Sequence, residues 1–178
     1  EGVTSVLDQP FSIYEQGGVG PNWDFGIGSW DNNSGHVQVS QVEVAGRGEV
    51  IDVRFGSVAG QNGLMFIQST TPKNATAFMD GGYLEFDIKV IDYGASNQTL
   101  IVKAESGPST GTADIALTPA PALGEWQTIR MDIRGMVEHE GTHSAFNLAA
   151  FNTPFVFLPA WDNQAGVHVQ LDNIRWVK

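Results

Sequence analysis

Residues 83–90 alternate without a break. Leu84, Phe86, Ile88 and Val90 fall on one face of an extended chain, and Tyr83, Glu85, Asp87 and Lys89 fall on the other. A period of two is the pattern of a strand with one face against a core. The same rhythm returns in residues 126–133, with Ile129, Met131 and Ile133 facing in, and in residues 49–55, where Ile51, Val53 and Phe55 oppose Asp52 and Arg54. Residues 11–15, 37–44, 99–103 and 153–158 read as further strands, and the run 64–68, apolar as far as Ile67, as a central one. Gly, Pro, Asn and Asp punctuate these runs, and glycine alone accounts for 21 of the 178 residues. No amphipathic segment is long enough for the helical crossovers of a parallel sheet. About ten short strands with such turns specify an all-β chain, a sandwich or a barrel.

The last strand carries a defect. In residues 166–176, Val167, Val169 and Leu171 alternate with His168, Gln170 and Asp172, and then Ile174 and Trp176 take over as the apolar set. A slip of one residue turns a strand inside out, so a β-bulge is expected at Asp172-Asn173. Three stretches are less regular. Residues 17–21 read as a loop, and residues 22–35 as an irregular surface excursion holding Trp23, Phe25 and Trp30. Residues 135–150 admit a short helix near 136–138 or 146–150.

The length suits one domain, residues 1–178. A net charge of −11 and a pI near 4.5 argue against nucleic acid and against anionic membrane as partners, since both select Lys and Arg. The chain has no cysteine, hence no disulfide and no thiolate zinc site. It begins at Glu1 without Met, so a processed product or an excised module is expected; the location expected, apart from that, is secreted or periplasmic in a bacterium.

Catalytic patterns are weak. A glycosidase needs two carboxylates flanking one bond, about 5–9.5 Å apart. Glu85 and Asp87 share a strand face, but a third acid in the Glu-x-Asp-x-x-Glu spacing would fall at Val90. His139-Glu-Gly-Thr-His143 matches the string His-Glu-x-x-His, yet that zinc motif requires a helix, and Gly141-Thr142 is poor helix material. Asn32, Asn74 and Asn97 head Asn-x-Ser/Thr sequons, which mark surface loops.

The aromatic residues point to sugar. Pyranose rings stack their C–H faces on flat aromatic rings while polar side chains read the hydroxyls. Trp30 beside Asp31 and Asn32, and Trp161 beside Asp162 and Asn163, join a ring to such groups on expected loops. Tyr83 and Tyr93 are weaker candidates. Trp23, Phe25, Trp126 and Trp176 are expected to be structural.

Longer motifs carry a resemblance. Phe86-Asp-Ile-Lys-Val90, Trp126-Gln-Thr128 and Leu171-Asp-Asn-Ile-Arg-Trp176 resemble those of a galactose-binding-like jelly-roll carbohydrate-binding module. With Asn22-Trp-Asp-Phe-Gly-Ile27 and Met65-Phe-Ile-Gln-Ser-Thr-Thr-Pro72, they are similar to the C-terminal domain of exo-acting family 3 β-glucan hydrolases. The resemblance implies a two-sheet antiparallel β-sandwich and no catalysis of its own. It implies a polysaccharide or oligosaccharide partner such as a β-glucan or algal glycan, and a catalytic glycoside hydrolase domain in the same parent chain. It also implies a structural Ca²⁺ between the first and last strands, with Asp172 and Glu15 as ligands.

Overall fold

The alternating segments fold as strands. In this computed structural model, which describes residues 4–178, they are β1 (Ser5–Val6), β2 (Phe11–Glu15), β3 (Gly18–Val19), β4 (Gly26–Trp30), β5 (Val37–Val44), β6 (Gly48–Phe55) and β7 (Leu64–Gln68). Then come β8 (Lys73–Asn74), β9 (Tyr83–Asp92), β10 (Leu100–Glu105), β11 (Ile115–Ala116), β12 (Trp126–Asp132), β13 (Thr153–Pro159) and β14 (His168–Val177). A short helix, α1 (Ile133–Glu138), and 3₁₀ turns at Thr76–Met79, Gly94–Ser96 and Leu148–Ala150 fill connections. Both stretches expected to turn helical do so. Ile133, assigned to a strand by its alternation, instead opens α1, where Asp132 Oδ2 caps the helix by accepting the Gly135 N–H at 3.0 Å.

Two antiparallel sheets form the sandwich. One has five strands in the order β11-β10-β13-β7-β4; the other has seven, with β12-β9-β14-β2-β3 in line and β6 and β5 beside β14. A small parallel pair, β1 with β8, stands outside the two-sheet plan. It ties the N-terminal arm to the segment that also bridges Phe151.

The alternation sets the core. Leu84, Phe86, Ile88 and Val90 of β9 are fully buried, as are Met65 and Ile67 of β7 and Phe155 and Phe157 of β13. Phe86 meets Phe155 edge-on across the layers at 5.3 Å between centroids. One end is closed by Phe11, Trp23, Phe78, Phe151 and Trp176, with Phe151 and Trp176 stacked at 5.1 Å. Trp23 is therefore a core plug and no part of a surface excursion; its Nε1–H donates to the Ser12 carbonyl at 3.1 Å.

The excursion expected over residues 22–35 is half strand. Residues Gly26–Trp30 pair with β7 in register, Gly28 opposite Phe66 and Trp30 opposite Leu64. Two glycines hide a strand from any propensity argument. Gly28 has a packing reason: a Cβ there would lie 2.6 Å from the Phe66 ring. Asn32 and Asn97 sit on exposed turns with φ of +56° and +52°, but Asn74 lies within β8 rather than in a loop.

β14 shows what its defect is for. One edge pairs with β9 along the strand; the other pairs with β6 through Leu171 and with β2 from Ile174. The phase slip falls where β14 changes neighbours. There Asn173 takes a φ of +48° and its N–H donates to Asp172 Oδ1 at 2.9 Å.

Candidate functional site

The five-stranded sheet turns one face to the core and leaves the other open. Because Met65 and Ile67 point inward, Leu64, Phe66 and Gln68 point out. On that outer face Phe66 and Leu64 pack on Ile101, Val156 and Leu158. Lys103 and Glu105 continue it along β10. A groove of about 540 Å³ lies over this floor, and both Trp30 and Trp161 line it. Trp30, at the end of β4, is 49% exposed, and Trp161, on the loop after β13, is 38% exposed. β4 and β10 are three strand spacings apart, roughly 14 Å at about 4.8 Å each.

The Trp161 ring is held by its surroundings, and the turn after Trp30 is braced. Trp161 Nε1–H donates to Asp114 Oδ2 at 2.8 Å, and Lys103 Nζ meets Asp114 Oδ1 at 3.0 Å. The Lys103 ammonium also lies 6.0 Å from the Trp161 ring centroid. Behind this loop, buried Gln164 binds the backbone of Gly63, and His36 Nε2 lies 3.1 Å from the same amide oxygen. Past Trp30, Asp31 Oδ2 accepts the Val37 N–H at 3.2 Å, and Ser34 Oγ donates to the Asp31 carbonyl at 2.7 Å. Asn32 and Asn33 complete that turn in the left-handed region.

The polar neighbours chosen with the tryptophans take different places. Asp31 and Asp162 are loop braces; Asp162 Oδ1 accepts from Asn62 Nδ2 at 2.9 Å, and its own N–H donates to Asn62 Oδ1 at 2.7 Å. Asn32 and Asn163 are exposed beside the rings. Tyr93 does not line the groove. It packs on the core, its hydroxyl donates to the Pro121 carbonyl, and burial pushes its pKa up. Phe66, Gln68, Lys103 and Glu105 also line the groove; the apolar stretch 64–67 does not say which of its faces is open, so Phe66 carries no mark in the sequence. Burial pushes the Glu105 carboxyl up; Lys103 opposes the shift and Asp114 adds to it.

The seven-stranded sheet carries its charges differently. Arg47, from the β5–β6 turn, reaches Asp87 Oδ2 at 2.9 Å and Asp172 Oδ2 at 3.2 Å, and its guanidinium stacks 3.9 Å from the Trp126 ring. Glu85 is bound by Arg175 at 2.6 Å and by Arg130 at 3.2 Å. The Glu85/Asp87 pair is thus engaged by arginine. The donor set expected for Ca²⁺ does not fit a cation: Asp172 already faces a guanidinium, and Glu15 approaches Arg175 at 4.0 Å. Among the described residues no three His, Asp or Glu side chains are grouped to hold a metal.

Residues 139–143 follow the end of α1 as a turn and not a helix. His139 Nδ1 lies 2.6 Å from the Glu140 carbonyl, and His143 Nδ1 accepts the Ala145 N–H at 3.2 Å. The two histidines face a polar cavity of about 440 Å³ that shares Lys103, Glu105 and Ser109 with the aromatic groove.

No family model matches this chain, and no curated protein matches it. Solved structures do match. The family 11 carbohydrate-binding module from Clostridium thermocellum, in complex with a β-1,3-1,4-mixed-linked tetrasaccharide, superposes with a TM-score of 0.65 at 16% identity over 96% of each chain. The extra C-terminal domain of an exo-1,3/1,4-β-glucanase from a Pseudoalteromonas species gives 0.66 at 9% identity, over 94% of this chain and 91% of that one. The family 30 module of a Clostridium thermocellum cellulosomal cellulase gives 0.63 at 14% identity, over 95% and 97%. The fold shared with carbohydrate-binding modules is thereby shown, and with it the all-β sandwich that the sequence motifs resemble.

Proposed function

We propose that this domain is a carbohydrate-binding module whose site is the groove between Trp30 and Trp161. One observation carries the reading: two half-exposed tryptophans from separate parts of the chain line the same trough, on the open face of a rigid sheet. Exposed indole surface is costly in water and suits the C–H face of a pyranose. Glu105, Gln68 and Ser109 supply acceptors and donors for hydroxyls along the same trough. The span between β4 and β10 suits a short run of sugar rings better than a single ring. Glu85 and Asp87, the acid pair weighed for a glycosidase, are held by arginines on the other sheet, which supports binding over bond cleavage.

The ligand we infer is a neutral polysaccharide such as a β-glucan or an algal glycan. The domain's role is then to hold a glycoside hydrolase of the same parent chain on its substrate, outside the cell or in the periplasm. Structural neighbours that are carbohydrate-binding modules, one of them bound to a mixed-linkage glucan tetrasaccharide, support the ligand class. No helix among the described residues is long and apolar enough to cross a membrane. Titration calorimetry of the domain against mixed-linkage β-glucan, laminarin-type glucan and agarose oligosaccharides tests the reading. Saturable heat with at least one is expected, and flat traces with all would remove it.

A second reading, a domain that packs on a catalytic neighbour, rests on a cleft of about 390 Å³ between β11 and β12. Ile115, Leu117, Ile129, Met131 and Met136 line it. Loss of stability on separation from the parent enzyme, without sugar binding, would favour it.

A further inference from the structure

Among the described residues Glu105 is the one carboxylate lining the groove between the tryptophans, and it has no hydrogen-bond or ion-pair partner there. The acids beside the two tryptophans are engaged: Asp114 by Trp161 and Lys103, Asp162 by Asn62, Asp31 by the Val37 N–H. The Glu105 carboxylate takes no hydrogen bond from the protein and joins no ion pair among the described residues; the influences on it are burial and the charges of Lys103 and Asp114. It stands on β10 where the aromatic groove opens into the polar cavity, and it lines both. The chain around it leaves room: opposite its Cγ is Gly111, where a Cβ would press within 3.1 Å.

We infer that Glu105 is the residue that selects glycans by charge, its carboxylate accepting hydrogen bonds from the hydroxyls of a neutral sugar and repelling sugars that carry carboxylate or sulfate. The inference rests on the sugar-binding reading of the groove. A half-buried, unpaired carboxylate is unfavourable in the free protein, and hydroxyl donors from a ligand would relieve it. A second anion brought beside this carboxylate would make it worse, since a nearby like charge disfavours the charged form. The single Lys among the groove-lining residues does not offset this, because Asp114 already neutralises it at 3.0 Å. The net charge of −11 adds a longer-range barrier to anionic chains, one that salt screens, whereas the contact at Glu105 is screened less.

Burial shifts the carboxyl upward, so the free protein favours the protonated form relative to an exposed glutamate. The titratable and charged groups that face it are Lys103 on its own strand, Asp114 just before β11, and His139, Glu140 and His143 across the polar cavity. Lowering the pH protonates Glu105. Discrimination against anionic glycans therefore narrows on the acid side.

The test compares wild type with Glu105→Gln and with Trp161→Ala. The probes are a mixed-linkage gluco-oligosaccharide and an oligouronate of the same length, at pH 7 and at low and high salt. The inference expects Glu105→Gln to bind the neutral probe roughly threefold to tenfold more weakly and to gain severalfold for the oligouronate. It also expects the variant to melt at a higher temperature than wild type at pH 7, because the unpaired, half-buried charge is gone. Unchanged affinities for both probes, with Trp161→Ala still losing the neutral one, would overturn the role of Glu105 and leave the groove standing. Absence of binding by wild type, or a Trp161→Ala variant that binds like wild type, would remove the groove and the inference with it.

Discussion

The side-chain amide of Gln164 closes a two-point clasp on the backbone of Gly63. The Gly63 N–H donates to Gln164 Oε1 at 2.8 Å, and Gln164 Nε2 donates to the Gly63 carbonyl at 3.1 Å. Gln164 is fully buried, and Gly63 leads directly into β7, whose Leu64 pairs with Trp30. Through this clasp the loop that carries Trp161 is fixed to the strand pair that carries Trp30. His36 adds a third partner; because the amide oxygen can only accept, the imidazole hydrogen there is on Nε2.

Gln164→Leu removes the clasp without changing the groove's own lining. It leaves the N–H and carbonyl of Gly63 and the His36 ring unpaired in the interior, at a cost of about 1–3 kcal/mol each before relaxation. Chemical denaturation should show a loss of roughly 2–4 kcal/mol. Affinity for glycan should fall in the variant that remains folded, because the two tryptophans are no longer held at one spacing. A variant as stable as wild type would refute the clasp.

Gly28→Ala tests the groove floor. The added methyl would lie 2.6 Å from the Phe66 ring, whose tip can swing outward since that face is open. The expected cost in stability is about 1–2 kcal/mol, in the range of small overpacking changes. The displaced ring should enter the trough and weaken glycan binding more than it weakens the fold. Tryptophan fluorescence and a melting curve on the same sample separate the two effects.

The charged clusters of the seven-stranded sheet predict acid sensitivity. Burial pushes the Asp87 carboxyl up, but hydrogen bonds from Thr128, Arg47 and Asn173 outweigh it and hold the group below the ordinary Asp range. Asp52 behaves alike: burial raises it, and His168, Gln170 and Arg54 more than offset that. A depressed carboxylate contributes stability that is complete above its unfolded pKa of about 3.8 and is lost as pH falls through the lower folded value. Melting temperature should therefore drop steeply below about pH 4. Asp87→Asn should lower stability at neutral pH and flatten the drop. Glu105 works in the opposite sense, since its raised pKa makes protonation favourable to the fold.

Much of this architecture can be read from alternation alone. The faces of β9 and the bulge of β14 follow from counting apolar positions by twos, because a buried face tolerates no other register. β4 escapes such counting, since Gly26 and Gly28 are there for a turn and for the Phe66 ring, and say nothing of pairing. Trp23 sits in a polar, glycine-rich neighbourhood, and only the closed end of the sandwich explains why it is buried. At the site, Trp30 and Trp161 stand out as large rings among turn residues. Phe66 and Glu105 do not, since their exposure depends on which face of the sheet lacks a second layer. Asp172 misleads for a different reason: an acid at a bulge suits a cation or a guanidinium equally, and its partner Arg47 lies 125 residues away in the chain.

The most direct measurement is the affinity of wild type, Trp30→Ala and Trp161→Ala for one soluble glycan, with a melting curve for each. Both rings are exposed, so both variants should melt within a few degrees of wild type. Each should bind about 5-fold to 150-fold more weakly, the loss of one aromatic anchor worth about 1–3 kcal/mol. Two folded variants that bind the glycan as tightly as wild type would contradict the account.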